Sequence, residues 1–273
     1  MKSVQLAHGS GGQAMQQLIG DLFMQAFANP WLAEQEDQAR LDLAALAAQG
    51  DRLAFSTDSY VIDPLFFPGG NIGKLAVCGT ANDVAVSGAI PADVHWGTQQ
   101  ISAGDVLLVS GTLGDHGATI LNLREQMGLD GALSSDCTVL TPLIQTLRPL
   151  SGVKALRDAT RGGVNAVAHE FAAASGCGIE LQEATLPVND TVRGVCELLG
   201  LDALNFANEG KLVLAVARDE AENALAHLRS HALGRDAAII GEVVARPGVR
   251  SVGLYGVKRT LDLPHAEPLP RIC

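Results

Sequence analysis

The chain closes on a thiol. Cys273 stands at the tip of Leu263-Pro264-His265-Ala266-Glu267-Pro268-Leu269-Pro270-Arg271-Ile272-Cys273, a segment spaced by three prolines. Such a segment favours extended backbone at about 3.1 Å per residue and would carry its sulfur about 30 Å from the last strand. A thiol attacks as the thiolate, and its ordinary pKa is near ~8.5. Arg271, two residues earlier, offsets the terminal carboxylate that would otherwise oppose ionisation. The plain alternative is a frayed terminus that happens to end in cysteine.

Four other groups have residue types suited to chemistry. His8-Gly9-Ser10-Gly11-Gly12 precedes the first predicted helix, so its backbone amides and the helix start could hold an anion. It lacks the lysine spacing of a Walker loop and the glycine spacing of a dinucleotide fold, and taken alone a plain flexible loop is the default reading. Ser56-Thr57-Asp58-Ser59 falls at a predicted strand end, and Asn82-Asp83 falls inside an apolar helix. A carboxylate there is costly to bury unpaired, so Asp83 needs a cation, a capping role or solvent. Asp58 and Asp83 could share one Mg²⁺, which takes oxygen ligands and keeps waters or phosphate oxygens. A salt bridge from Asp83 is the alternative, although Lys74 does not share its helical face at contact distance.

Arg157-Asp158-Ala159-Thr160-Arg161-Gly162-Gly163 joins two guanidinium groups, a capping residue and two glycines just before a helix, a turn fit to face phosphate. An ordinary helix cap with surface arginines is the bland reading. In Asn208-Glu209-Gly210, at the start of a strand, the glutamate is either solvated or a general base aimed into a cleft.

The elements that must position these residues follow from periodicity. Residues 14–29 read as an amphipathic helix stopped by Pro30, Ala39 to Ala48 as a short helix, 52–62 as a strand, and Gly70 to Ala89 as a buried helix. Beyond Gly104-Asp105 come a strand from Val106, helices at about 116–127, 138–148 and 163–175, and a strand at 178–184. A helix at 190–199, a strand at 211–217, a helix at 219–232, a strand at 238–245 and a hairpin over 249–262 complete the pattern. Mixed helices and strands imply an α+β fold, or α/β in layers.

The chain has 273 residues, enough for two domains, and with 47% hydrophobic but only 4% aromatic residues its core must be aliphatic. A net charge of −11 argues against a nucleic-acid-binding surface. Five cysteines without a CxxC pair argue against a disulfide framework or zinc site, and Cys78, Cys137, Cys177 and Cys196 read as core residues. No signal peptide or membrane span is evident, so a soluble cytoplasmic protein is expected.

Taken in order, His8–Gly12, Thr57-Asp58-Ser59, Phe66-Phe67-Pro68-Gly69-Gly70-Asn71-Ile72-Gly73-Lys74-Leu75, Asn82-Asp83, Arg157–Gly163, Asn208-Glu209-Gly210 and Pro270-Arg271-Ile272-Cys273 resemble the HypE family of hydrogenase maturation factors. That family lies within the superfamily of aminoimidazole ribonucleotide synthetase and selenophosphate synthetase. The resemblance covers essentially the whole chain, and the terminal Pro-Arg-Ile-Cys is its most specific part. It implies a two-domain α+β protein that forms a homodimer through an N-terminal ATP-binding domain (residues 1–103), followed by a C-terminal α+β domain (104–262) and a mobile tail (263–273).

The resemblance also implies a reaction. A carbamoyltransferase, HypF, loads the terminal thiol; ATP-dependent dehydration makes a thiocyanate; and the HypC–HypD complex receives it as the cyanide ligand of a [NiFe] hydrogenase. Asp58 and Asp83 would hold Mg²⁺ and phosphates. Gly9, Ser10, Gly11, Gly12, Lys74, Asn82, Asp158, Thr160, Arg161, Gly162 and Gly163 would line the ATP site. Glu209 would be the base, and Cys273 the covalent carrier.

One departure stands out. The family carries a Gly-Asp-Thr-Lys motif with further strands and a helix after the Asn-Asp helix. Here Ser87-Gly88-Ala89-Ile90-Pro91 runs straight into Ala92-Asp93-Val94-His95-Trp96-Gly97, and no Gly-Asp-Thr occurs. A chain lacking that segment is expected to expose an apolar edge in its first domain. It should keep the acceptor thiol while its ATP-dependent dehydration falls. A non-catalytic thiol carrier, and a kinase or synthetase of the same superfamily acting on a small molecule, are the competing readings.

Overall fold

The computed structural model describes residues 12–33, 42–54, 56–85, 89–90, 94–129 and 131–263. By packing, the chain divides into two compact units, residues 1–50 and 51–273. Residues 51–103 are bonded into the body that follows. Asn82 reaches residues 138 and 140, and Lys154 reaches Ser102.

In the first unit α1 (Gln13–Leu18) continues through a π-helical turn at Ile19–Phe23 into α2 (Met24–Ala26). Pro30 does not simply stop this helix. It opens a further one, α3 (Pro30–Ala33), since proline suits a first helical turn and Asn29 accepts from the Leu32 amide at 2.8 Å. Asp42 caps α4 (Leu43–Ala47) by accepting from Ala44 at 2.9 Å and Ala45 at 3.2 Å.

The second unit begins with less strand than its sequence suggests. Among the described residues of 52–62, only Arg52–Leu53 (β1) is strand, paired antiparallel with Ala89–Ile90 (β4). Phe66–Phe67 (β2) and Gly70–Asn71 (β3) form a small hairpin that leads into α5 (Ile72–Ala85). This helix is half-buried rather than wholly buried: Leu75, Cys78 and Asn82 face inward, while Val77 is 58% exposed. Val61, Leu65 and Phe66 add further exposed apolar surface nearby.

The body is a seven-stranded sheet built from β5 (Val106–Val109), β6 (Val153–Asp158), β7 (Gly178–Gln182), β8 (Leu212–Val216), β9 (Ala238–Val244), β10 (Gly248–Val252) and β11 (Lys258–Thr260). The strands lie in the order β11-β10-β7-β9-β5-β8-β6, and only the β7–β10 pair is parallel. Alternation sends Leu107, Val109, Val213 and Ala215 to one face, where α8 (Gly163–Ser175) packs Val164, Val167, Ala168 and Phe171. Val106, Leu108, Leu212, Leu214 and Val216 go to the other, under α7 (Thr141–Leu147) and α10 (Ala221–Ser230). A third cluster joins α5 to α6 (Asp115–Glu125) and α9 (Asp190–Leu199) through Leu75, Ile120, Val192 and Phe206.

The strand β6 has no counterpart in the sequence reading. Lys154, Arg157 and Asp158 interrupt its apolar run, and they are tolerated because β6 is an edge strand whose Lys154 pairs with Asp105 at 2.8 Å. Among the described residues no helix is long and apolar enough to cross a membrane.

Phe171 is fully buried beneath the central strands. Phe171→Ala is therefore expected to cost about 3–5 kcal/mol, read as a lowered urea midpoint, whereas the surface change Glu222→Gln leaves the midpoint unchanged.

Candidate active site

The site is organised around Asn82. Its amide is only 2% exposed, in the last turn of α5, and both ends are engaged by the segment 135–140. Nδ2 donates to the Thr138 carbonyl at 3.0 Å, and Oδ1 accepts from the Leu140 amide at 2.8 Å. These bonds fasten the helix that carries Asp83 to a strap that reaches Glu209. The Thr138 amide donates to the Glu209 carbonyl at 3.3 Å, and the Glu209 amide donates to Asp136 Oδ1 at 3.0 Å. Glu209 itself is 2% exposed, so it is not the solvated residue of the bland reading.

Residues 208–211 also grip the Arg157–Gly163 turn. Asn208 donates from both its main-chain and side-chain nitrogens to the Ala159 carbonyl, at 3.0 and 3.1 Å, and its Oδ1 accepts from Gly114 at 2.8 Å. The Ala159 amide donates to the Lys211 carbonyl at 3.0 Å. The turn then enters α8 through Gly162 and Gly163, whose φ values of 72° and 59° favour glycine. A methyl group on Gly163 would lie 2.5 Å from the Leu204 and Phe206 carbonyls. Arg161 is exposed and Thr160 half-buried beside this helix start. Arg157 is turned away, paired with Glu170 at 3.1 Å.

Three carboxylates share one electrostatic neighbourhood. Ser56 donates to Asp83 at 3.1 Å, while Asp58 accepts from the Ser59 amide at 2.7 Å. The Tyr60 phenol is pushed well above its ordinary range, first by burial and then by Asp58 and Asp83. Asp158 is pushed up to about 6, first by burial and then by the charge of Asp83. Oxygen donors that raise one another's proton affinity suit a hard cation such as Mg²⁺. Among the described residues, however, no three such side chains are grouped closely enough to form a ready-made metal cage.

The structure thus brings Asn82, Asp83, Asp158, Thr160, Gly162, Gly163 and Glu209 onto adjoining segments. Lys74 donates to the Gly69 carbonyl at 2.8 Å at the solvent side of α5. Gly12 precedes α1 in the first unit. Gly9, Ser10, Gly11 and Cys273 lie outside the described residues.

Sequence reasoning missed Asp136 and Lys211. They form a salt bridge at 2.9 Å with side chains 5% and 11% exposed. It also missed the closeness of Cys78 and Cys137. The Cys137 thiol is pushed far up, first by burial and then by Cys78, so Cys137 does not serve as a nucleophile. A polar run, Ser134-Ser135-Asp136, amid apolar neighbours was the available signal.

Comparison with known proteins gives this geometry its class. The AIR synthase related protein family matches by its N-terminal domain over residues 35–98 and by its C-terminal domain over residues 102–253. Carbamoyl dehydratase HypE of Escherichia coli strain K12 is 68% identical over 336 aligned positions that include all of both chains. The chain belongs to the HypE family. That alignment is longer than the 273 residues of this chain, so the relative carries internal length without a counterpart in it. A crystal structure of hydrogenase maturation protein HypE in complex with ATP matches with a TM-score of 0.91 at 34% identity, covering 99% of this chain and 100% of that one. A HypE–HypF complex matches with a TM-score of 0.76 at 34% identity, covering 90% and 99%.

Two outcomes test this geometry. A methyl group on Gly210 would lie 2.1 Å from the Asp136 carbonyl, so Gly210→Ala should displace the strap and cost about 1–3 kcal/mol in a denaturation midpoint. Asp158 binds its proton more tightly folded than unfolded. In Mg²⁺-free buffer, stability should therefore fall as pH rises from 3.8 to about 6, and Asp158→Asn should flatten that slope.

Proposed function

We propose that this chain is an ATP-dependent carbamoyl dehydratase of [NiFe] hydrogenase maturation, a lyase acting on its own S-carbamoyl cysteine. The observation that carries the reading is the 68% identity, over all of both chains, to a carbamoyl dehydratase. The likeness to an ATP-bound HypE supports ATP as co-substrate. In this reading Asp58 and Asp83 hold Mg²⁺, and Lys74, Asn82, Asp158, Thr160, Arg161, Gly162 and Gly163 line the nucleotide site. Bound Mg-ATP supplies the phosphoryl group that turns a poor carbamoyl oxygen into a leaving group.

The chain's own residues do the rest. Cys273 holds the carbamoyl carbon through sulfur, and the tail brings it to Glu209. Glu209, buried and held at its main chain on both sides, takes the nitrogen-bound proton as the C≡N bond forms. The same burial keeps water from the intermediate. Loading by HypF is supported by the matching HypE–HypF complex. Transfer of the thiocyanate to HypC–HypD, and a homodimer, complete the reading by family analogy.

In this reading the additional length of the E. coli protein falls after Pro91, where the resemblance leads one to expect a Gly-Asp-Thr-Lys motif. Exposed Val61, Leu65, Phe66 and Val77 on that part of the unit fit a shortened domain. Dehydration is accordingly slower than in the longer relatives, while loading of Cys273 is retained.

Intact-mass analysis after incubation with carbamoyl phosphate, ATP and the carbamoyltransferase tests this directly. A carbamoyl adduct on Cys273 should appear and then lose one water over a long incubation. Cys273→Ala should show neither mass. An adduct that never loses water, together with no Mg-ATP-dependent rise in melting temperature, would favour the thiol carrier instead.

A further inference from the structure

We propose that Asn165 and His169 are positioning residues that clip the root of the carboxy-terminal tail to α8 and aim it at the 157–163 turn. The inference rests on the reading in which Cys273 carries the substrate to the site beside that turn. Two hydrogen bonds make the clip. His169 Nε2 donates to the Leu261 carbonyl at 2.9 Å, and Asn165 Nδ2 donates to the Asp262 carbonyl at 3.1 Å.

Together these bonds set a direction. Positions 165 and 169 lie about one turn apart on one face of α8, with 165 nearer the helix start. The chain meets His169 at residue 261 and Asn165 at residue 262, so it leaves β11 running back towards the first turn of α8. Gly162 and Gly163 stand at that end, continuous with the turn that Asn208 grips through the Ala159 carbonyl. Asn165 is tied to the same region, since Nδ2 also donates to Asn205 Oδ1 at 2.9 Å. Just ahead of the clip, Leu261 is buried and its amide donates to the Val249 carbonyl at 3.0 Å, which fixes the point of departure.

Stability does not account for an asparagine at position 165. The residue is 2% exposed, and its Oδ1 is buried without a hydrogen-bond partner among the described residues. An unmatched carbonyl is unfavourable there, and an aliphatic side chain like those of the adjoining core residues Val164 and Val167 would avoid it. What the asparagine adds is its grip on residues 205 and 262.

The clip governs heading rather than length. Releasing Asp262 would add about one residue to a tail of eleven, and closure entropy hardly changes over such an increment. Pro264 follows Asp262 by two residues, however, with Pro268 and Pro270 beyond, and proline-rich chain is semi-rigid. A stiff tail keeps the heading given at its root, so the clip raises the effective concentration of the loaded thiol at the site.

In single-turnover assays on the carbamoylated full chain with saturating Mg-ATP, Asn165→Leu and His169→Phe together should slow loss of water by about fivefold or more. His169→Gln keeps a donor and should retain most of the rate. The same double change in a Cys273→Ala chain should leave unaltered the dehydration of a separate synthetic peptide of residues 263–273 carbamoylated on its cysteine. Equal slowing of the tethered and the separate reaction marks a damaged site and overturns the proposal, as does a wild-type rate in the double variant. If the peptide is not turned over even without the double change, the rise in melting temperature with Mg-ATP decides: a slowed variant that keeps the rise supports the clip, and one that loses it overturns it. If the double variant does not fold, His169→Phe alone, at a half-buried position, is judged by the same assays. A wild-type chain that never loses water overturns the dehydratase reading and the clip with it, an outcome distinct from a variant that matches a working wild type.

Discussion

The buried carboxamide of Asn82 is the group on which the rest of the site depends. Burying such a group is unfavourable unless donor and acceptor are both matched, and here the main chain of residues 138 and 140 matches them. The requirement to satisfy one amide therefore fixes the distance between the helix bearing Asp83 and the strap bearing Asp136. That strap in turn fixes Glu209 and Lys211, and Asn208 fixes the turn before α8. Removing the first constraint would leave the later ones without a common reference.

Much of this was legible in the sequence because local rules agreed with the tertiary outcome. The bounds of α8 and α9 follow from an apolar period ended by glycines that adopt left-handed backbone. The central strands announce themselves as continuous aliphatic runs, since both faces are covered. The acidic residues and the Asn-Glu-Gly segment were visible as chemistry that an aliphatic core would not carry without purpose.

The rest was hidden for physical reasons. The strand β6 is polar because it lies at a sheet edge, and the edge is a property of the whole sheet rather than of six residues. The Asp136–Lys211 pair joins positions 75 apart in the chain, so no local pattern reveals it. The short β1 shows the converse error: residues 52–62 have strand composition, yet among the described residues only two find a partner. The role expected of Asn82 at the nucleotide also changes emphasis, since its polar atoms are engaged by protein backbone.

The position of Glu209 just ahead of β8 has a kinetic side. β8 is covered on both faces and hydrogen-bonded on both edges, which places its amides among those that exchange with solvent only when the whole body unfolds. A carboxylate attached to such a strand inherits its persistence. Local breathing in the small β1–β4 and β2–β3 pairs can therefore come and go on fast timescales without loosening the group at the end of β8.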